Sequence, residues 1–294
     1  VEKAVRRQTC LAGVNLAEAD LAGAYLQGGK FDGGNFAKAN LRGSTLTGAS
    51  CQKATFEGAN LEDVVADCVD FEGANLTSVS AYRGGFVSSY FVGATMNNAQ
   101  LGRCDFLFAN LTKASLVSAE ASNARFERSK LDGVCGINAC CRNACFRAAH
   151  MTGANFEEAH LEGCVFYEVN AEKANFDKAS LNDTKLRGAN FEKASFYKAN
   201  LTSASLYRGY FAEADFSAAN LFAADFTKSS VMLACFDGAN AESADFSHAF
   251  AVDACFRRTR LCKAEFADAS MEGVRLRGAN TAGANMPSRN GGEI

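Results

Sequence analysis

Between Gly188 and Leu206 the chain reads GANFEKASFYKANLTSASL. Its large apolar residues, Phe191, Phe196, Leu201 and Leu206, fall at every fifth position. A strand repeats on two residues and a helix on 3.6, so neither accounts for this spacing. The register runs unbroken from Leu11 to Met286. Of the 24 Phe, only Phe108, Phe222 and Phe250 lie outside the central position of the repeat. Two residues before each centre stands Ala or another small residue. One residue before is often Asn, Asp or Ser, and two residues after is often Gly, as at Gly28, Gly43, Gly188 and Gly278. Self-similarity at a fixed period is the mark of a solenoid.

The units GANLE at 58–62, GANFE at 153–157 and EADFS at 213–217 resemble the pentapeptide-repeat family, whose unit is A(D/N)LXX. The resemblance implies an all-β fold, a right-handed, four-sided parallel β-helix with four pentapeptides, hence 20 residues, per coil. The chain supplies its own test of that coil. Sorted at 20-residue intervals, the column through Leu16, Phe36 and Phe56 and the column through Leu26, Phe86 and Phe106 are rich in Phe. The column through Leu21, Leu41 and Leu61 contains none. The centre and the small residue two before it should point inward, as alternate strand residues do, with Gly or Asn at the corners. At about 4.8 Å per coil the repeat makes a rod of about 14 coils, roughly 67 Å long. The expected organisation is an N-terminal cap over 1–10, the β-helix over 11–286 and a loose tail over 287–294. Gly136 is the one Gly at a central position and Cys141 follows as a small centre. A local dent is expected there, with Ile137 folding inward.

Charge and chemistry narrow the function. The 294 residues carry 30 basic and 33 acidic side chains, a net charge of −3, unlike a basic nucleic-acid binder. No stretch approaches 18 apolar residues, so no transmembrane helix is expected. The twelve Cys invite a metal or redox reading. However, Cys135, Cys140 and Cys145 sit on three successive faces and cannot converge on one ion. Cys51, Cys104, Cys141 and Cys164 occupy inward positions and read as core. Cys235 and Cys255 are 20 residues apart and should stack within disulfide reach; two reduced neighbours are the favoured reading and a disulfide the alternative, since the other cysteines show no paired spacing. His150 and His160 belong to opposite faces, with His248 remote, so no triad forms. Glu157 and Glu158 read as solvated surface. There is no phosphate-binding glycine motif. The expectation is a non-enzymatic protein with no cofactor, no metal and no small-molecule substrate.

Outward positions should be polar on a free rod, and contiguous exceptions mark contact sites. Val87, Leu107 and Phe108 form one such group, with Tyr90 and Val92 round the corner. Tyr210, Met232, Leu233, Phe250 and Val252 form a second. Both touch the face through Leu11, Phe31 and Phe91, so one elongated partner or two neighbours could lie along it. Arg257, Arg258, Arg275 and Arg277 make a basic cluster suited to an acidic partner or anionic headgroups, or to keeping the rod end soluble. The family has no single activity. The favoured expectation is a scaffold: an accessory or assembly subunit binding protein subunits of a larger complex, with peripheral contact to a membrane complex. The resemblance to plastid members points to the chloroplast thylakoid, with the cytoplasm as the alternative, and the Val1 start is compatible with a removed targeting segment. The other reading within the family is a DNA mimic that binds DNA gyrase. That role needs a strongly acidic rod, whereas here both signs intermix and Arg and Lys outnumber acids between Asn75 and Asn138.

Overall fold

The computed structural model describes residues 10–287. The expected cap over 1–10 therefore lies outside the described residues except for Cys10, and the tail over 287–294 except for Pro287. The chain forms two compact units, Val1–His150 and Met151–Ile294.

Each unit is a β-helix. Within the first, single parallel bridges join residues 20 apart, from Asn15 with Asn35 through to Lys130 with His150. Within the second they run from Asn155 with Asn175 to Glu265 with Asn285. Four such bridging positions recur in every 20 residues. They remain isolated bridges and never extend into strands, because a turn interrupts the chain after every third residue. Among the described residues there is no helix.

The turn explains the motif. The N–H two residues before each centre bonds back to the carbonyl of the preceding centre, as Ala19 does to Leu16 at 3.1 Å. This closes a four-residue β-turn. At the second residue after every centre from Leu11 to Thr281 φ is positive, between 54° and 76°. Type II turns require that sign at their third residue. Gly fills 17 of these positions, but 38 are non-Gly, and none of those is Val, Ile or Thr. Branching at Cβ makes the left-handed region hardest to enter, so the repeat excludes those residues where it admits Lys, Ser, Arg and Asn.

Three of the remaining backbone N–H groups in a unit bond to neighbouring coils. Leu16 donates to Asn35 O at 2.7 Å, Glu18 to Ala37 O at 2.8 Å, and Asn35 to Val14 O at 2.8 Å. Only the N–H just after the centre is left over. The Asn or Asp just before the centre accepts it: Ala37 donates to Asn35 Oδ1 at 3.0 Å, Ser217 to Asp215 Oδ1 at 2.8 Å. This is the physical reason for the D/N of the motif. Where Ser50, Gly85, Ser115, Ser195 or Cys255 holds that place, an acid or amide one coil earlier takes over. Asp32, Asp67, Asn97, Asp177 and Asp237 accept from Gln52, Val87, Val117, Tyr197 and Arg257 at 3.0–3.3 Å.

Inside, the centres and the small residues two before them are buried. In the first unit Phe86, Phe106, Phe126 and Phe146 stack with centroids 5.0–5.2 Å apart. In the second, Phe156 through Phe256 stack at every coil, at 4.5–5.8 Å. The dent expected at Gly136 does not form. The turn and bridge pattern continues through 131–145, Ala139 bonds to Gly136 O at 3.0 Å, and Ile137 stays half-buried on the outside. The turn hydrogen bonds hold the backbone whatever the size of the centre.

Candidate interaction surfaces

A regular coil exposes only three residues in five: the bridging residue before the centre and the two turn residues after it. Function on such a scaffold is decided by what stands there. In the first unit Val87 and Leu107 occupy the first turn position on successive coils. Their N–H groups are fixed by Asp67 and Asp105, each at 3.0 Å, so both side chains are aimed outward. Phe108 follows at the second turn position with φ 58° and is 49% exposed. The Arg128 guanidinium lies 5.7 Å from its ring centroid. Leu107, Phe108, Glu127, Arg128 and Arg147 line a shallow groove of about 350 Å3. Glu127 is held by Arg125 at 2.8 Å, and the same arginine bonds Asp105 at 2.9 Å. The Arg125 hydrogen bond holds the Glu127 carboxyl below the usual range. Neither Arg128 nor Arg147 has an ion-pair partner among the described residues. Tyr90 is exposed and Val92 half-buried, one turn further on.

In the second unit Met232 and Val252 occupy the first turn position on successive coils, with Leu233 beside Met232 at φ 58° and 54% exposed. Tyr210 and Phe250 stand on one bridging column, with Ser230 between them. Phe250 is 55% exposed. Phe108 and Leu233 are the only large apolar residues among the described left-handed turn residues. Within each unit these residues thus stand at neighbouring positions on successive coils.

Other sequence expectations meet different fates. Cys235 and Cys255 stack as a parallel bridge, with both thiols free. Each thiol turns to its neighbours instead: Cys235 lies 3.1 Å from Ser217 Oγ, while Cys255 donates to Asp237 Oδ1 at 2.9 Å and accepts from Arg257 Nε at 3.1 Å. Burial pushes the Cys104 thiol up to about 12, and Cys51 and Cys141 are likewise raised by burial, as suits core residues. The basic cluster is weaker than its composition. Arg257 is held by Asp237 at 2.6 Å, while Arg258, Arg275 and Arg277 are exposed with no ion pair among the described residues. Glu157 and Glu158 both bind Lys178, at 2.9 and 2.8 Å. His160 sits 3.4 Å from Glu162, and His248 3.6 Å from Asp268. Among the described residues no three His, Cys, Asp or Glu side chains gather as a metal site, and no helix is long and apolar enough to cross a membrane.

Sequence reasoning missed five further exposed side chains: Tyr25, Val65, Tyr82, Tyr197 and Phe222. All occupy bridging or first-turn positions, so the register could have found them. Tyr82 overhangs Gly102, the one Gly at a first-turn position, and walls a polar groove of about 490 Å3 with Glu62, Gln100 and Glu120.

A β-helix whose unit is one Asx-capped turn defines a pentapeptide solenoid. Family models bear this out. Pentapeptide repeats match residues 7–36, 30–63, 89–128, 199–238 and 254–287, and a pentapeptide repeat region matches 141–216. The chain belongs to the pentapeptide-repeat family of right-handed β-helices. Comparison with the curated proteins gives no match. Among solved structures, QnrB1, a plasmid-mediated fluoroquinolone resistance protein, is 16% identical over 70% of this chain and 92% of its own, with a TM-score of 0.34. HetL, involved in heterocyst differentiation regulation in Nostoc sp. strain PCC 7120, is 21% identical over 94% and 90%, with a TM-score of 0.21. A pentapeptide repeat protein of the Arabidopsis thaliana thylakoid lumen is 26% identical over 30% of this chain and 65% of its own, with a TM-score of 0.25.

Proposed function

We propose that this protein is a non-enzymatic scaffold, a four-sided β-helix of about 14 coils that docks as an accessory or assembly subunit on protein subunits of a larger complex. The observation that carries the proposal is the placement of Phe108 and Leu233. Each is a bulky apolar side chain at a left-handed turn residue, half exposed, within a contiguous apolar group. An exposed, contiguous apolar group that buries nothing in the coil marks an interaction site. Aromatic and aliphatic anchors of this kind carry most of the energy of an interface. The contact residues are Val87, Tyr90, Val92, Leu107 and Phe108 in the first unit, and Tyr210, Met232, Leu233, Phe250 and Val252 in the second. Arg258, Arg275 and Arg277 add an electrostatic contact for an acidic or membrane-associated partner. The compartment proposed is the chloroplast thylakoid, on the family resemblance alone; fractionation of the source cells tests it.

A gyrase-directed DNA mimic would present a continuous acidic ladder. The outward side chains here pair sign with sign, as in Arg83 with Asp63 at 2.7 Å and Arg125 with Asp105 at 2.9 Å, which favours the scaffold. The test is native purification of the tagged chain. Leu107→Asp with Phe108→Lys, and separately Phe250→Asp, should each lose a co-purifying partner while folding normally. Retention of the same partners by both variants would remove this surface from consideration.

A further inference from the structure

The two apolar groups carry opposite charge in the same register. In the first unit Leu107 and Phe108 are followed one coil later by Arg128 and two coils later by Arg147. In the second, Met232 and Leu233 are followed one coil later by Asp253 and two coils later by Glu272. From Phe108 to Arg128 is 20 residues, as from Leu233 to Asp253; from Phe108 to Arg147 is 39, as from Leu233 to Glu272. Each residue holds the same turn position as its counterpart. All four charged groups are exposed and none has an ion-pair partner among the described residues. The carboxylate beside the arginines, Glu127, is already held by Arg125 at 2.8 Å. On the other side Glu213 is held by Lys193 at 3.5 Å. The unspent charge is thus basic at one apolar corner and acidic at the other.

We propose that the partner seated on each corner is a second copy of this chain. Resting on the reading of the two groups as contact surfaces, the proposal goes beyond it by naming the occupant. Two coils of equal pitch laid side by side in the same direction stay in register indefinitely, at about 4.8 Å per step. In that arrangement the Leu107–Phe108 corner of one copy meets the Met232–Leu233 corner of the next. Arg128 then faces Asp253, and Arg147 faces Glu272. Reversing the direction brings the apolar residues together but not the charges, so the pairing fixes the orientation. The contact is heterologous: each copy offers a basic corner to one neighbour and an acidic corner to another.

Analytical ultracentrifugation over a concentration series tests this with exposed substitutions. The wild type should self-associate, and less so at high salt. Arg128→Glu with Arg147→Glu makes both corners acidic. Asp253→Lys with Glu272→Lys makes both basic. Each double variant alone should associate about tenfold or more weakly, since each 1.4 kcal/mol is a factor of ten. A one-to-one mixture should recover the wild-type behaviour, because every acidic corner again finds a basic one. A wild type that is monomeric throughout, or two variants as associated as the wild type, or a mixture no better than its components, would each overturn the proposal. If the wild type is monomeric while Leu107→Asp with Phe108→Lys still loses a co-purified protein, the docking surface stands and its occupant is a different chain.

Discussion

The two units fill the same coil in different ways. In the second, one column of Phe stacks without a break from Phe156 to Phe256, and from Phe226 to Phe266 a second column joins it edge-on, as Phe236 and Phe246 do at 5.6 Å and 90°. In the first, the stack moves between faces: Phe36 with Phe56, then Phe71 with Phe91, then Phe86 to Phe146. Its last coil has Leu131, Gly136, Cys141 and Phe146 as centres, while a coil of the second unit has Ala251, Phe256, Leu261 and Phe266. Yet the turn, its left-handed residue and the bridge recur identically in both. Shape is therefore set by backbone hydrogen bonds and turn chemistry, and the interior has only to supply apolar volume.

This comparison can be broken by mutation. Removing a ring from the continuous stack should have the largest effect: Phe196→Ala is expected to cost about 3–5 kcal/mol in urea unfolding. Lys198→Ala, in the same repeat but outward, should be nearly neutral. Equal losses would show that the register is misassigned. Filling should separate the units next. Ala251→Leu adds volume to a coil already holding two Phe and should cost about 1–3 kcal/mol, whereas Cys141→Leu should cost less. A larger loss at Cys141 would mean that backbone rather than volume limits the first unit.

One defect is shared by both units. Ser44 and Ser229 replace the inward Ala, and their hydroxyls are buried without a hydrogen-bond partner. Ser89 and Thr259, at equivalent positions, bond to Ala66 O at 2.6 Å and Phe236 O at 2.7 Å. Ser44→Ala and Ser229→Ala should each stabilise by about 1 kcal/mol, and Thr259→Ala should not. The smallest effect is on pH. Hydrogen bonding from Arg125 lowers the Glu127 carboxyl; Asp237 is pushed up by burial, but hydrogen bonds from Cys255 and Arg257 outweigh that and leave it lowered. Stability from both is complete above the ordinary carboxylate pKa of about 4 and fades as pH falls through the lowered values. Unfolding midpoints of Glu127→Gln and Asp237→Asn should therefore fall below wild type at neutral pH and converge on it in acid.

Much of this was legible in the sequence, and the reasons are local. Five-residue spacing and the small residue before each centre identified inside and outside, and the burial of Phe196 beside exposed Lys198 follows from them. The hydrogen-bond exchange between Ser195 and Asp177, or Cys255 and Asp237, was not legible, because it couples residues 18 apart in sequence that meet only once the coil is closed. The same holds for the neutralisation of Arg257, and for the turning of Cys255 away from Cys235. The apolar corners were found because exposure follows directly from register. The matching charges beside them needed the coil-by-coil neighbours.

The central claim is that the two contiguous apolar groups, around Phe108 and around Leu233 and Phe250, are covered in the working assembly, and hydroxyl-radical footprinting tests it on the unmodified protein. Labelling is compared between the purified chain, diluted until it is monomeric, and the chain in a native extract. Phe108, Leu233 and Phe250 should be protected in the extract, while Tyr25 and Phe222, which are exposed outside these groups, should label equally in both. Labelling of Phe108, Leu233 and Phe250 that is unchanged between the two samples would contradict the account.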